Sequence, residues 1–242
     1  MNSLHQILHT MSYMALPLLL AMVLHEYAHG WVAHRFGDAT AREQGRLTMN
    51  PLAHVDPVGT VILPLLCLLM PGGFFLGWAK PVPVNPARLR NPRRDMALVA
   101  AAGPGMNLLL AVASALVLSL LLSVDPTLGD SWPPQPGMAP RGDLSGILLL
   151  PLAAMALYSV FINVLLMIFN LIPIPPLDGG RVLTSLLPAQ SAAAVGRLEP
   201  YGMLIIVGLI ALDPQIHVIQ TVMGTLVDVT AGTILSSVLR PG

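Results

Sequence analysis

His25, Glu26 and His29 stand in a His-Glu-x-x-His arrangement within an apolar stretch that begins near Met11. On an α-helix, residues i and i+4 share one face, so two imidazoles at that spacing can hold a single Zn²⁺. The carboxylate one residue on can then reach a water that the metal activates. The same spacing also fits a histidine pair satisfied by backbone carbonyls inside a packed helix. The surroundings favour chemistry: a charged glutamate at bilayer depth costs about 2.5 kcal/mol or more, which makes such a residue a functional candidate. The implied reaction is metal-assisted hydrolysis, located where a bilayer is expected.

A catalytic zinc site takes three protein ligands and keeps one position open. The best third candidate is Asp178, in the run Asn170-Leu171-Ile172-Pro173-Ile174-Pro175-Pro176-Leu177-Asp178-Gly179-Gly180. Prolines remove helix hydrogen bonds and glycines permit tight backbone, so this run can unwind and turn an aspartate back toward a helix bundle. An ordinary Asp-Gly-Gly turn at a membrane surface fits the same residues. His54, near Asp56, has ligand chemistry too, but a fourth protein ligand would close the position that water needs. A loop-organising role near the mouth of the site is expected for it, with metal contact as the accessory alternative. His34 follows His29 by five residues, which rotates it off the ligand face. Asn163 lies seven residues before Asn170 and on nearly the same helix face, where interhelical hydrogen bonding is its expected task.

The elements that must position these groups are membrane helices. The chain has 242 residues, of which 55% are hydrophobic and only 10% charged, with a mean hydropathy of +0.73. That composition excludes an ordinary soluble domain. Lys plus Arg equals Asp plus Glu at 12 each, so neither a basic field for nucleic acid nor an acidic arm is present. The single cysteine, Cys67, rules out an internal disulfide. The N-terminal apolar run has no Lys or Arg before it and no small-residue cleavage pattern after it, so it reads as an uncleaved membrane helix.

Three stretches, about 7–33, 97–124 and 147–172, are long enough to cross a hydrocarbon core. Two weaker ones follow, about 192–212, interrupted by Arg197, Glu199 and Pro200, and about 216–239, which contains Asp228. The apolar run 58–70 is too short for an easy crossing and ends in Pro71-Gly72-Gly73, so a re-entrant path is expected. Positive residues set the orientation. Arg35, Arg42 and Arg46 precede that run, and Lys80, Arg88, Arg90, Arg93 and Arg94 follow it, whereas 125–146 holds only Arg141 beside Asp125, Asp130 and Asp143. The first two segments read as cytoplasmic and the third, proline-rich, as external. The alternation from Trp78 to Pro86 suggests an extended edge strand, because proline tolerates only edges; such an edge can pair with an extended peptide. The expected fold is an all-α polytopic membrane protein. Its catalytic core occupies 1–185, with three spans and a re-entrant or short extended element, and C-terminal membrane helices occupy 186–242.

Two separated signatures, His25-Glu26-Tyr27-Ala28-His29-Gly30 and Asn170 through Gly180, with Gly103-Pro104-Gly105-Met106-Asn107 between them, resemble the site-2 protease family of intramembrane zinc metalloproteases over roughly residues 15–185. The resemblance implies that His25, His29 and Asp178 bind one zinc per chain and that Glu26 is the general base. It further implies that Asn170 and Asn107 help to hold the substrate backbone or an oxyanion. Many relatives carry a PDZ domain between the second and third core spans, where this chain has only about 125–146, too short for one, so it looks like a minimal, PDZ-free branch, and the resemblance does not carry over how it is regulated. Asn50 through Pro57 and Lys80-Pro81-Val82 also recur in that branch.

The expected activity is zinc-dependent hydrolysis of peptide bonds within or near transmembrane segments, with single-span membrane proteins as substrates and the active site toward the cytoplasmic side of the cell membrane. A metal-ion transporter is the alternative from another class, but it calls for dispersed sites and this chain concentrates its ionisable residues. A catalytically silent membrane chaperone is a third reading, and the intact Glu26 argues against it.

Overall fold

The computed structural model describes residues 3–62, 77–131, 143 and 145–239. Long runs rich in Leu, Ala, Val and Met form the main helices: α1 (Ser3–Arg35), α3 (Pro92–Val124), α4 (Leu150–Asn170), α7 (Glu199–Ile216) and α8 (Val218–Leu239), with Pro17 and Pro104 accommodated inside α1 and α3. Short helices complete the set: α2 (Thr40–Glu43), α5 (Asp178–Leu186) and α6 (Ala189–Gly196). By length and composition, His9–Arg35, Pro92–Val124, Ser145–Asn170 and Thr221–Leu239 suit a membrane crossing. A fifth candidate is the pair Ala189–Gly196 and Glu199–Leu209, bent by 58°. That break falls where Arg197, Glu199 and Pro200 interrupt the apolar pattern. The protein is an all-α, multi-pass membrane protein, as the sequence leads one to expect.

The expected edge strand at 78–86 is not a strand. No strand occurs among the described residues, and 77–85 is an extended stretch without a ladder. Its amides find other acceptors: Trp78 N–H donates to the Gly59 carbonyl (3.1 Å) and Lys80 N–H to the His54 carbonyl (2.8 Å). Prolines 81 and 83 silence one side of the stretch, and on the other the Lys80 and Val82 amides go to the His54 carbonyl and the Glu26 carboxylate, so no ladder forms. Residues 57–62 form a helical turn whose first amides, of Val58 and Gly59, donate to Asp56 Oδ1. Most of the 58–70 run, from residue 63 onward, lies outside the described residues, as does most of the proline-rich 125–146 segment.

The chain divides into two compact units. The first comprises Met1–Ala21, Asn107–Phe169 and Ile206–Gly242. Its core is built on small side chains: Ala111, Ala115 and Ala231 pack with Val160 and Val164, and Ala153 and Ala156 pack with Leu118. Such residues let helix backbones approach closely where lipid offers no hydrophobic driving force. A neutral polar ladder joins α3 to α4. Asn107 Nδ2 donates to Asn163 Oδ1 (3.0 Å), Asn163 Nδ2 donates to the Ser159 carbonyl (2.8 Å), and Ser114 Oγ donates to Ser159 Oγ (2.7 Å). The interhelical role expected of Asn163 is the one it has.

The second unit comprises Met22–Met106 and Asn170–Ile205. Ala33, Leu89 and Val99 form its apolar centre, with Phe36, Val84 and Met96 against them. At the start of α3, Pro92 takes the first helical position and the Asp95 carboxylate accepts the Asn91 N–H (2.7 Å), a reciprocal helix-start arrangement. The linker after α4 packs tightly. A methyl group on Gly179 would strike the Leu171 and Ile172 carbonyls, one on Gly180 the backbone at Ile174 and Pro175, and one on Gly202 the Pro175 carbonyl. Glycine at 179 and 180 therefore lets α5 start directly against that linker, which fixes the place of Asp178.

Candidate metal centre

The two histidines come from one face of α1, and both are buried at 7% exposure. Their Nε2 atoms lie 3.1 Å apart. Asp178, the first residue of α5, brings Oδ2 to 3.1 Å from His25 Nε2 and 3.3 Å from His29 Nε2. Those three separations match the edges of a tetrahedron with metal–ligand distances of about 2.0–2.1 Å, whose edge is roughly 3.3 Å. Asp178 Oδ2 is buried and takes no hydrogen bond. A buried carboxylate oxygen left in this way is costly unless a cation completes its surroundings, so the donor set fits zinc. Among the described residues, one group of three potential metal-binding side chains converges, and it is this one.

The surroundings of the histidines are arranged with equal economy. His29 Nδ1–H donates to the Val99 carbonyl of α3 (2.7 Å), which assigns the proton to Nδ1 and leaves the Nε2 lone pair facing His25 and Asp178. Gly103, one turn further along α3, has no room for a side chain: a methyl group there would meet His29 Nε2 and would sit 2.6 Å from His25 Nε2. The glycine of the Gly103-Pro104-Gly105 signature thus makes space for both imidazoles.

Glu26 is half-buried, and its Oε2 accepts the Val82 N–H (2.7 Å) from the extended stretch. Sequence reasoning missed this contact, since a backbone amide has no residue type to betray it. Other contacts it did not foresee are Asp38 and Arg46, which hold the same stretch from loop positions. Asp38 is fully buried; its Oδ2 accepts the Asn85 N–H (2.6 Å) and its Oδ1 accepts the Thr40 N–H (3.0 Å) and hydroxyl. Burial alone would raise the Asp38 carboxyl, but the hydrogen bonds from Thr40 and Asn85, with the Arg88 charge nearby, together hold it below the usual carboxylate range. Arg46 donates to the Lys80 carbonyl (2.8 Å) and the Pro81 carbonyl (3.2 Å). The one available signal was an aspartate beside a glycine just past a membrane span, at Gly37-Asp38.

The other expected site residues lie as follows. His54 is buried in a short helical turn (Pro51–His54), with Nε2–H donating to the Thr48 carbonyl (2.8 Å) and its own carbonyl accepting from Lys80, and is not part of the converging group. Asn170 is the half-buried last residue of α4. Asn107 is fully buried in the first unit, donating to Asn163.

Comparison with known proteins accords with this centre. The model of Peptidase family M50 matches residues 13–212. The chain is 37% identical over 197 residues to "Putative zinc metalloprotease YwhC" of Bacillus subtilis, covering 81% of this chain and 78% of that one. It is 32% identical over 193 residues to "Putative zinc metalloprotease Rip2" of Mycolicibacterium smegmatis, covering 79% and 64% respectively, and 31% identical over 189 residues to the Rip2 of Mycobacterium tuberculosis strain Erdman, covering 74% and 62%. No solved structure gives a significant match. A zinc-compatible triad, two histidines on the membrane helix α1 and an aspartate at the start of α5, joined to this family match, places the chain in peptidase family M50, the site-2 protease family, as a zinc-dependent intramembrane metalloprotease.

Proposed function

We propose that His25, His29 and Asp178 hold the catalytic zinc and that Glu26 is the general base in the hydrolysis of transmembrane segments. The observation that carries this reading is the convergence of three ligand atoms at 3.1–3.3 Å, with a carboxylate one residue from the first of them. When bound, zinc supplies the Lewis acidity that makes water a competent nucleophile near neutral pH. Glu26 would accept a proton from the attacking water as its oxygen bonds to the carbonyl carbon, and would return that proton to the amide nitrogen as the C–N bond breaks. The Val99 carbonyl keeps His29 in the tautomer that offers Nε2 to the metal. Asn170, at the end of α4 and eight residues before Asp178, is proposed to hold the substrate backbone or an oxyanion, whereas Asn107, bonded to Asn163, is proposed to act between helices.

The proposed substrates are single-span membrane proteins. Their helices protect each peptide bond with an internal hydrogen bond, so the scissile segment must unwind before water can attack. The proposed location is the cell membrane, with the centre toward the cytoplasmic side, where positive residues concentrate before and after the 58–70 run. Hydrogen bonds between those flanks support their lying at the same membrane face: Asp38 to Asn85, Arg46 to Lys80, His54 to Lys80 and Glu43 to Arg88. Two experiments test the reading. Glu26→Gln should keep zinc and lose cleavage of a fluorogenic single-span peptide, and wild-type turnover by that variant removes Glu26 as base. In a Cys67→Ala background, Gly45→Cys and Arg88→Cys should label from one face; labelling from opposite faces overturns the topology.

A further inference from the structure

The catalytic carboxylate is not left to find its own direction. Glu26 Oε2 accepts the Val82 N–H at 2.7 Å, and the Val82 side chain, 5% exposed, settles on α1 one turn beyond Glu26. Gly30 makes that seat: a methyl group there would lie 2.9 Å from Val82 Cγ1 and 3.2 Å from Leu47 Cδ1. The extended stretch is thus applied to the Glu26–Gly30 face by an amide at one point and a side chain at the next. Its ends are fixed independently. Three residues beyond Val82, the buried Asp38 takes the Asn85 N–H at 2.6 Å, and on the other side Arg46 holds the Lys80 and Pro81 carbonyls while Lys80 N–H binds the His54 carbonyl. Trp78 is anchored by Thr60 Oγ1, which donates to its carbonyl at 2.8 Å.

We infer that the Val82 amide sets the direction of the Glu26 carboxylate, and that Asp38 and Gly30 act on the reaction through that amide as positioning residues. The inference rests on the proposed role of Glu26 as base. A carboxylate with one oxygen committed to a fixed backbone donor has lost a rotational freedom, so the other oxygen meets the water with less reorganisation. Prolines 81 and 83 leave Val82 as the one amide donor between them, and their restricted φ keeps the stretch extended.

The test is a double-mutant cycle. Purified full-length variants Val82→Pro, Asp38→Ala, the double variant and Gly30→Ala are assayed in detergent on a fluorogenic peptide carrying one apolar span, with zinc per chain measured on each. Val82→Pro deletes the donor in backbone that is already extended and proline-flanked. It should lower kcat about ten- to a hundredfold, the size expected for losing a hydrogen bond to a charged group, with KM little changed and zinc retained. Asp38→Ala should lower kcat in the wild-type background and add almost nothing in the Val82→Pro background, a non-additivity that general destabilisation does not produce. Wild-type kcat in Val82→Pro, or an Asp38→Ala effect undiminished there, overturns the inference. Should Val82→Pro lose zinc, Gly30→Ala decides: lowered kcat with zinc retained supports the inference, and unchanged kcat overturns it. The parent reading fails separately, by activity in Glu26→Gln.

Discussion

The two units of the chain treat buried polarity in opposite ways. Between α3 and α4 of the first, polar side chains are neutral and answer one another: Asn107 to Asn163, Asn163 to Ser159, Ser159 to Ser114. In the second they are ionisable, and they either converge on one point, as His25, His29 and Asp178 do, or bind irregular backbone, as Glu26 and Asp38 do. Neutral pairs in hydrocarbon join helices at small cost, because every donor meets an acceptor. Convergent ligands carry an unfavourable local balance until a metal arrives, which is why they are useful only where chemistry requires them. On the proposed roles, the contrast separates residues that hold the fold from residues that hold the reaction.

That division breaks most sharply at the ligands. Asp178→Ala or His29→Ala should drop bound zinc from about one per chain to near zero, because two remaining ligands hold zinc poorly, and proteolysis should vanish with it. Elemental analysis of the purified variants checks this, and zinc retained by Asp178→Ala would remove that carboxylate from the ligand set. Gly103→Ala is the next largest effect: its methyl group enters the space of both imidazoles, so zinc affinity should fall by about ten- to a hundredfold in a chelator competition. Asn163→Leu tests the other unit. It should cost roughly 0.6–2 kcal/mol in unfolding and leave zinc content unchanged; metal loss there would show that the neutral ladder also serves the centre. The smallest effect concerns Asp38. Its folded carboxyl lies below the unfolded value of about 4, so its contribution is full above that pH and fades as pH falls through the folded value. The gap in thermal stability between the wild type and Asp38→Asn should therefore narrow on acidification, and a gap that widens contradicts the sign.

His25, Glu26 and His29 were legible because they share one regular helix, whose 3.6-residue period alone puts them together. Asp178 was legible only as a candidate, since its place depends on how the proline-rich linker turns; the close fit of Gly179 and Gly180 against that linker explains the choice of residues afterwards. The long spans and the break near Pro200 followed from apolar length and helix breakers. The edge strand failed for a physical reason. Alternation and proline identify extended backbone correctly, but they do not say whether its partner is another strand or, as here, a set of carbonyls and side chains from residues 26 to 60. Val82 and Asp38 escaped notice because their contacts span 56 and 47 residues and involve backbone amides, which every sequence contains everywhere.

The late position of Asp178 has a consequence for the life of the molecule before it is finished. The two proposed histidine ligands and the proposed base, all on α1, are translated well before the proposed third ligand, which follows only after α4 and its linker. A ribosome-bound chain that has not yet inserted α4 carries a two-histidine half-site with no carboxylate to complete it. On the proposed ligand set, hydrolytic competence is withheld from partly synthesised chains until α4 and the start of α5 have been made.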